Sequence, residues 1–422
     1  MVALSTSFRL DRTLFAQLSD WLAVGVAIAL PWSTSATGVL IALWLLAVLP
    51  TLNRAALWRE VAIPAGGLPV VLWILAVLGM LWAGADVTWS QRFGGLEGYL
   101  RLLAIPLLLT QFRRSDNGLL AIYGFLASAT FLLLTSWAFD LIPLLQSRGN
   151  FRGVPVKDYI FQGDEFMICG FALLGAAGAL ASRGQWRTTL QVAALGVLFL
   201  ANIAFVFASR TSLLVAPFLV AALGWRLRGV KGAGIAILVA IALVPILWLS
   251  SPHLRGFTLQ SFADISAYVK SDGASSSGLH LEFLRKSIGI IKNAPIIGHG
   301  TGSIPEQFRQ VAAGESGAAA VVTVNPHNQI FAVAIELGSV GAIVLLAMWC
   351  AHCLLFRDGD WIAWTGMVIV IENVVSSTVN SHLFDFSQGW LYVFGVGIAG
   401  GTVLKSNVEN ALDQKASCPE FI

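Results

Sequence analysis

"RTTLQVAALGVLFLANIAFVFASRTSLLVAPFLVAALGWR", Arg187 to Arg226, is apolar almost from end to end. As one helix at 1.5 Å per residue it would reach about 57 Å, nearly twice the ~30 Å of a bilayer's hydrocarbon core. The stretch therefore doubles back, and its only polar cluster, Ser209-Arg210-Thr211-Ser212, marks the turn. Arg183 and Arg187 stand before it and Arg226 and Arg228 at its close, so the base of the hairpin is basic. The whole chain has the same character. Of 422 residues, 57% are hydrophobic and 12% charged, where soluble domains carry about 25% charged residues, and mean hydropathy is +0.77. The fold class is an all-α integral membrane protein, with membrane lipids as its surroundings. A net charge of +3 gives no footing for nucleic acid.

Counting apolar stretches of about 20 residues predicts about twelve spans. Their centres lie near residues 26, 44, 75, 105, 129, 174, 198, 218, 241, 341, 370 and 395. The N-terminus has the look of a signal peptide, with Arg9 and Arg12, an apolar stretch and Thr34-Ser35-Ala36, and is read as a retained first span. Arg54, Arg59, Arg113, Arg114, Arg183, Arg187, Arg226, Arg228, Lys231, Arg357 and Lys405 fall at every second boundary. Positive charge stays inside, so both termini are expected in the cytoplasm and the intervening loops outside. The chain then divides into residues 1–250 with spans one to nine, a large periplasmic loop over 251–327 before the tenth span, 328–404 with the last three spans, and a cytoplasmic tail over 405–422. Loops beyond about 15 residues are uncommon and often functional, which directs attention to 251–327. Of four cysteines, Cys350 and Cys353 flank His352, but one helix end offers no second ligand pair for zinc, and buried thiols are the alternative.

Arg210 is a cation on the side where the orientation bias places few. It either snorkels to lipid phosphate or pairs with an acid, or it grips an anion, because a planar guanidinium binds phosphate oxygens in pairs. The loop supplies more cations. In "GLHLEFLRKSIGIIKNAPIIGHGTGSI", Gly278 to Ile304, Leu281, Leu284, Ile288 and Ile291 recur at helical intervals. Glu282, Arg285, Lys286 and Lys292 take other faces, giving an amphipathic helix stopped by Pro295. Gly298, Gly300 and Gly302 then form either a turn whose amides approach a ligand or a merely tight turn. Asn325 and Pro326 suit an N-cap and first helical position, which puts His327 in the first turn of the next span, with Asn328 beside it. Arg148, Arg152, Lys157 and Tyr159 are candidate contacts to phosphate or sugar, and Asn380, His382 and Asp385 candidate rim residues. Asp164-Glu165 is read as a solvated loop end or a cation site.

His327-Asn328, nine residues, then Gly338-Ser339-Val340-Gly341, with Glu336-Leu337-Gly338 in the same stretch, resembles the signature of the bacterial O-antigen ligases. The upstream Arg285 helix, Ala294-Pro295, Gly298-His299-Gly300-Thr301-Gly302 and the Ser209-Arg210 turn are similar to that superfamily in order. His280 departs from it, since relatives often begin this helix with arginine. The resemblance implies a GT-C-like glycosyltransferase in the bacterial inner membrane with a periplasmic active site. It implies undecaprenyl-diphosphate-linked O-antigen as donor, lipid A-core oligosaccharide as acceptor, and inverting transfer with neither metal nor cofactor. On that reading His327 is the base, with diphosphate contact as its other possible role, and Arg210 and Arg285 stabilise the departing diphosphate. Lys286, Asn328, Arg152 and Tyr159 join Arg210 and Arg285 in binding substrate. An O-antigen polymerase is the near alternative, and a lipid-linked glycan transporter or flippase, for which Glu336 and Glu372 inside spans speak, the more distant one.

Overall fold

The computed structural model describes residues 12–142, 144, 152–271 and 276–417. Arg9, Arg148 and Cys418 lie outside the described residues. In chain order the helices are α1 (Arg12–Ala29), α2 (Thr34–Val48), α3 (Arg54–Val61), α4 (Pro64–Gly79), α5 (Trp89–Leu100), α6 (Ala104–Phe112), α7 (Gly118–Leu141) and α8 (Tyr159–Ser182). They continue with α9 (Trp186–Phe205), α10 (Arg210–Ser250), α11 (Pro252–Ser271), α12 (Ser276–Asn293), α13 (Ile304–Ala312), α14 (Gln329–Leu355), α15 (Trp361–Ser376) and α16 (Phe386–Ser417). Among the described residues there is no strand, as the hydrocarbon environment requires of an open chain.

Eight helices are long and apolar enough to cross a membrane, or nine if α3 and α4, bent by 87° at their junction, are taken as one span. The difference from about twelve has local causes. α15 has only 16 residues, and α1 carries Arg12, Gln17 and Asp20. The predicted centres near 218 and 241 fall on the single element α10, which is non-helical at Arg228 and Gly229. A Cβ added to Gly224 would lie 2.5 Å from the Gly232 carbonyl oxygen, whereas eight residues of continuous helix span about 12 Å. α10 therefore folds back on itself at Gly229, whose φ of 62° suits glycine. Its far end returns to α9, where Ser251 Oγ donates to the Ala204 carbonyl at 2.7 Å.

The doubling back near Arg210 is where the sequence places it. α9 ends at Phe205, and Ser209 caps α10 by accepting from the Ser212 amide. At the other end of this bundle the basic residues are tied to neighbours. Arg113 pairs with buried Glu60 at 3.1 Å, Arg226 donates to the Asp360 carbonyl at 2.8 Å, and Lys405 pairs with Asp116. The core between the ends is aromatic and aliphatic, with Trp44, Tyr99, Phe166, Phe199 and Phe394 fully buried. Its polar groups find partners. Trp44 Nε1 donates to Gln111 Oε1 at 2.8 Å, and Gln111 Nε2 to Asp20 Oδ1 at 2.7 Å. His352 is fully buried, with one ring nitrogen against the Tyr392 hydroxyl at 2.6 Å and the other against the Ala65 carbonyl at 2.9 Å. Both nitrogens are committed, so Cys-Ala-His-Cys is a packing feature and no zinc site. Of the thiols, Cys169 is buried, Cys353 half-buried and Cys350 exposed.

Candidate functional site

His327 does not lie in a helical turn. The span begins two residues later, at Gln329, and Asn328 is its N-cap, its Oδ1 accepting from the Phe331 amide at 3.0 Å. Asn325 instead builds a turn of its own, accepting the His327 amide at 2.8 Å, a use of Asn side chains that competes with helix initiation. His327 is thereby held at φ 54°, a left-handed conformation uncommon for a residue with a Cβ. Its Nδ1 meets Asn380 Oδ1 at 3.1 Å. That oxygen also accepts the Ser381 amide at 3.0 Å, so it is the acceptor here too. The hydrogen of neutral His327 then sits on Nδ1 and the lone pair on Nε2. The ring packs on Phe283, nearly parallel at 5.8 Å, and on His280 at 4.3 Å. Burial lowers the His327 pKa, against the pull of the Asn380 hydrogen bond. His280 is pushed down to about 4, first by burial and then by the neighbouring His327 and Arg210. The residue that departs from the family pattern is thus the one that links the imidazole to the arginine.

Arg210, the first residue of α10, is exposed, with its guanidinium over the Phe257 ring at 5.9 Å. Phe257 lines a cavity of about 440 Å³ together with Arg152, Tyr159, Phe207, Ala208 and His253. Two of the proposed substrate contacts, Arg152 and Tyr159, are therefore gathered beside Arg210 by α8, α10 and α11. Arg152 is mostly exposed and paired with Asp140 at 2.5 Å. Lys157 is spent elsewhere, donating to the Leu30 carbonyl and to Ser387 Oγ.

Arg285 and Lys286 part company. Lys286 is buried and donates to the carbonyls of Ala319 and Val321, holding the 317–321 turn against α12. Arg285 is 68% exposed and makes a two-pronged pair with Glu282, at 2.7 and 3.0 Å. Five positions after His280, it points about 140° around the helix from it.

The glycine segment is the tight turn of the two alternatives. Its amides are all used inside the protein: His299 donates to the Ile335 carbonyl and Gly300 to the Glu336 carbonyl, both at 2.8 Å, Thr301 to Gly79 at 3.2 Å, and Gly302 to Glu336 Oε1 at 2.8 Å. The reason lies in α14, which is broken at Gly338 with φ 64°. A broken helix inside a membrane protein leaves backbone groups that need partners. The 295–302 segment supplies them, accepting from Ser339 and Val340 through the Pro295 and Ile296 carbonyls. Glu336 is the clasp, accepting also from the buried Tyr99 hydroxyl at 2.9 Å. It anchors two segments and also lines a cavity of about 390 Å³ with Gly302, Glu97 and Arg101.

Asp164 and Glu165 are buried within α8, not a solvated loop end. Of the supposed rim, Asn380 belongs to the site, His382 is fully buried, and Asp385, pushed up to about 6 by burial, offers its carbonyl to buried Arg101. His280 and Phe283 are the residues around His327 that sequence reasoning left without a role there, and Asn380 stood only as a candidate for the rim. The signal for the first two was the helical phase placing 280 and 283 on one face.

No curated protein matches this chain. Residues 194–346 match the family model described as O-Antigen ligase (Wzy_C). That stretch runs from α9 through Arg210, the 251–327 loop, His327 and the Gly338 break, and over it the chain is similar to the O-antigen ligase family.

Proposed function

We propose that this protein is a glycosyltransferase that moves O-antigen polysaccharide from undecaprenyl diphosphate to a sugar hydroxyl of lipid A-core. Transfer is inverting and metal-independent, at the periplasmic face of the inner membrane, with both termini cytoplasmic. The observation that carries this reading is the convergence of Arg210, His280, His327 and Asn380 beside a cavity lined by Arg152 and Tyr159. A diphosphate donor already carries its leaving group, so the protein need only hold charge and move one proton.

In this mechanism the acceptor hydroxyl oxygen attacks the anomeric carbon and passes its proton to Nε2 of His327. The bond from that carbon to the diphosphate oxygen breaks, and the developing charge falls to Arg210. Arg285 joins it by exchanging Glu282 for phosphate. Asn380 fixes the tautomer and Asn328 the helix start behind the imidazole. The basic residues clustered at the far end of the bundle support the assigned orientation.

Reconstitution in vesicles with a defined lipid-linked donor, purified lipid A-core and no divalent ions tests the reading. The expected product is glycan on the core. Chain growth on the diphosphate lipid alone would identify a polymerase instead, and lipid movement without a glycosidic bond a flippase.

A further inference from the structure

We propose that Asp164, Glu372 and His382 hold one divalent transition-metal ion, of the zinc or manganese type, that pins the turn carrying Asn380. Asp164 comes from α8, Glu372 from α15 and His382 from the turn between α15 and α16. All three are buried, exposed by 1%, 4% and 0%. Each offers a ligand atom within 4.8 Å of the other two, a small side-chain adjustment from the ~3.4 Å separations that bonds of about 2.1 Å give in a tetrahedral site.

Two carboxylates packed together away from water are costly unless something cationic joins them. Among the described residues the ion pairs place neither lysine nor arginine on Asp164 or Glu372, and Asp164 Oδ2 faces the His382 ring, 3.6 Å from Nδ1. Gln388 reaches Asp164 Oδ2 at 3.5 Å, and Ser376 Oγ meets His382 Nδ1 at 2.9 Å. Asp164 Oδ1, Glu372 Oε1 and His382 Nε2 are fully buried and have no hydrogen-bond partner. A proton shared by the two acids would serve one oxygen pair and leave His382 Nε2 unmet. A cation takes lone pairs from all three, and two carboxylates with one imidazole suit borderline ions.

The ligands share no residue with the proposed transfer chemistry. The ion would act through position: it ties α8 and α15 to the turn just after Asn380, whose Oδ1 holds His327. The proposal stands or falls without any assay of transfer. Full-length protein purified in detergent is stripped with EDTA and incubated with ZnCl2 or MnCl2, and bound metal per chain and thermal unfolding are then measured. One equivalent of one of these ions should bind and raise the melting temperature. Asp164→Asn and Glu372→Gln should bind less than a tenth as much, and a Cys350→Ser/Cys353→Ser variant as much as the parent. Loading below a tenth of an equivalent in the parent, or equal loading in the acid variants, would overturn the assignment. Should the variants fail to fold, X-ray absorption of the loaded parent decides: one imidazole with oxygen ligands supports the site, sulfur ligation or several imidazoles refutes it.

Discussion

His327 and Gly338 stand at the two ends of one half-helix, Gln329 to Leu337, and both have left-handed backbone, with φ of 54° and 64°. At Gly338 the conformation serves packing. An added Cβ would sit 2.2 Å from the Ile296 carbonyl carbon, and the backbone groups freed by the break are matched by residues 295–300. At His327 the same backbone serves a side chain: it turns a half-buried imidazole toward His280 and Phe283, with Nδ1 anchored and Nε2 left with the lone pair. Strain of about 1–3 kcal/mol in each place is spent on opposite ends, architecture in one and placement of the imidazole we propose as the base in the other.

His327→Ala should break this comparison hardest. Loss of a general base lowers rate by about 10²- to 10⁴-fold, read in the reconstituted transfer assay, with little change in melting temperature. Transfer within threefold of the parent would reduce His327 to another packing residue. Gly338→Ala should do the converse. Left-handed strain of about 1–3 kcal/mol and overpacking of about 1–3 kcal/mol should lower the melting temperature or prevent folding, and an unchanged melt would show that the break tolerates a side chain. Arg210→Lys keeps charge but loses the two-pronged grip, so transfer should fall about 10- to 100-fold, the equivalent of the ~1.5–3 kcal/mol of a hydrogen bond to a charged group. Recovery of full rate by lysine would mean that only charge matters there.

Glu336→Gln keeps an acceptor for the Gly302 amide and a polar partner for Tyr99. Stability should shift by only about 1 kcal/mol and transfer should stay near normal. A collapse of activity without destabilisation would return Glu336 to the chemistry.

The smallest effect concerns pH. His280 has a folded pKa of about 4, below the usual 6.5, so between those values the unfolded chain binds more protons and stability falls with acidification. His280→Gln should flatten that part of a melting curve measured from pH 7 to 4. An unaltered slope would place the titration elsewhere. Because the His327 pKa is also lowered, the base stays neutral at pH 7, and transfer should decline only below about 6.5.

Much of the fold was legible because hydrocarbon imposes a length and a sign on the chain. The turn at Ser209-Arg210 and the amphipathic helix ending before Pro295 both read correctly from such rules. Span counting exceeded the eight or nine because α15 is short, α1 carries polar residues, and α10 counts as one element although it folds on itself at Gly229 between the predicted centres near 218 and 241. The cations and the histidine of the candidate site stand out in the sequence, but their partners do not. Lys286 and Arg285 are sequence neighbours, and only the 317–321 turn and Glu282 separate a buried strut from an exposed cation. His280 and Asn380 lie 47 residues before and 53 after His327, and local periodicity carries no information about such distant contacts.

By itself the sequence determined that this is a helical membrane protein, that Arg210 ends a hairpin, and that the stretch around His327 resembles the O-antigen ligases. Those properties follow from transfer of side chains into hydrocarbon and from the residues of one continuous stretch. Tertiary structure decided which polar motifs are bound up in hydrogen bonds inside the protein. The glycine turn and Glu336 were claimed by the broken α14, because a helix interrupted in an apolar medium must find its missing hydrogen bonds from whatever chain lies alongside.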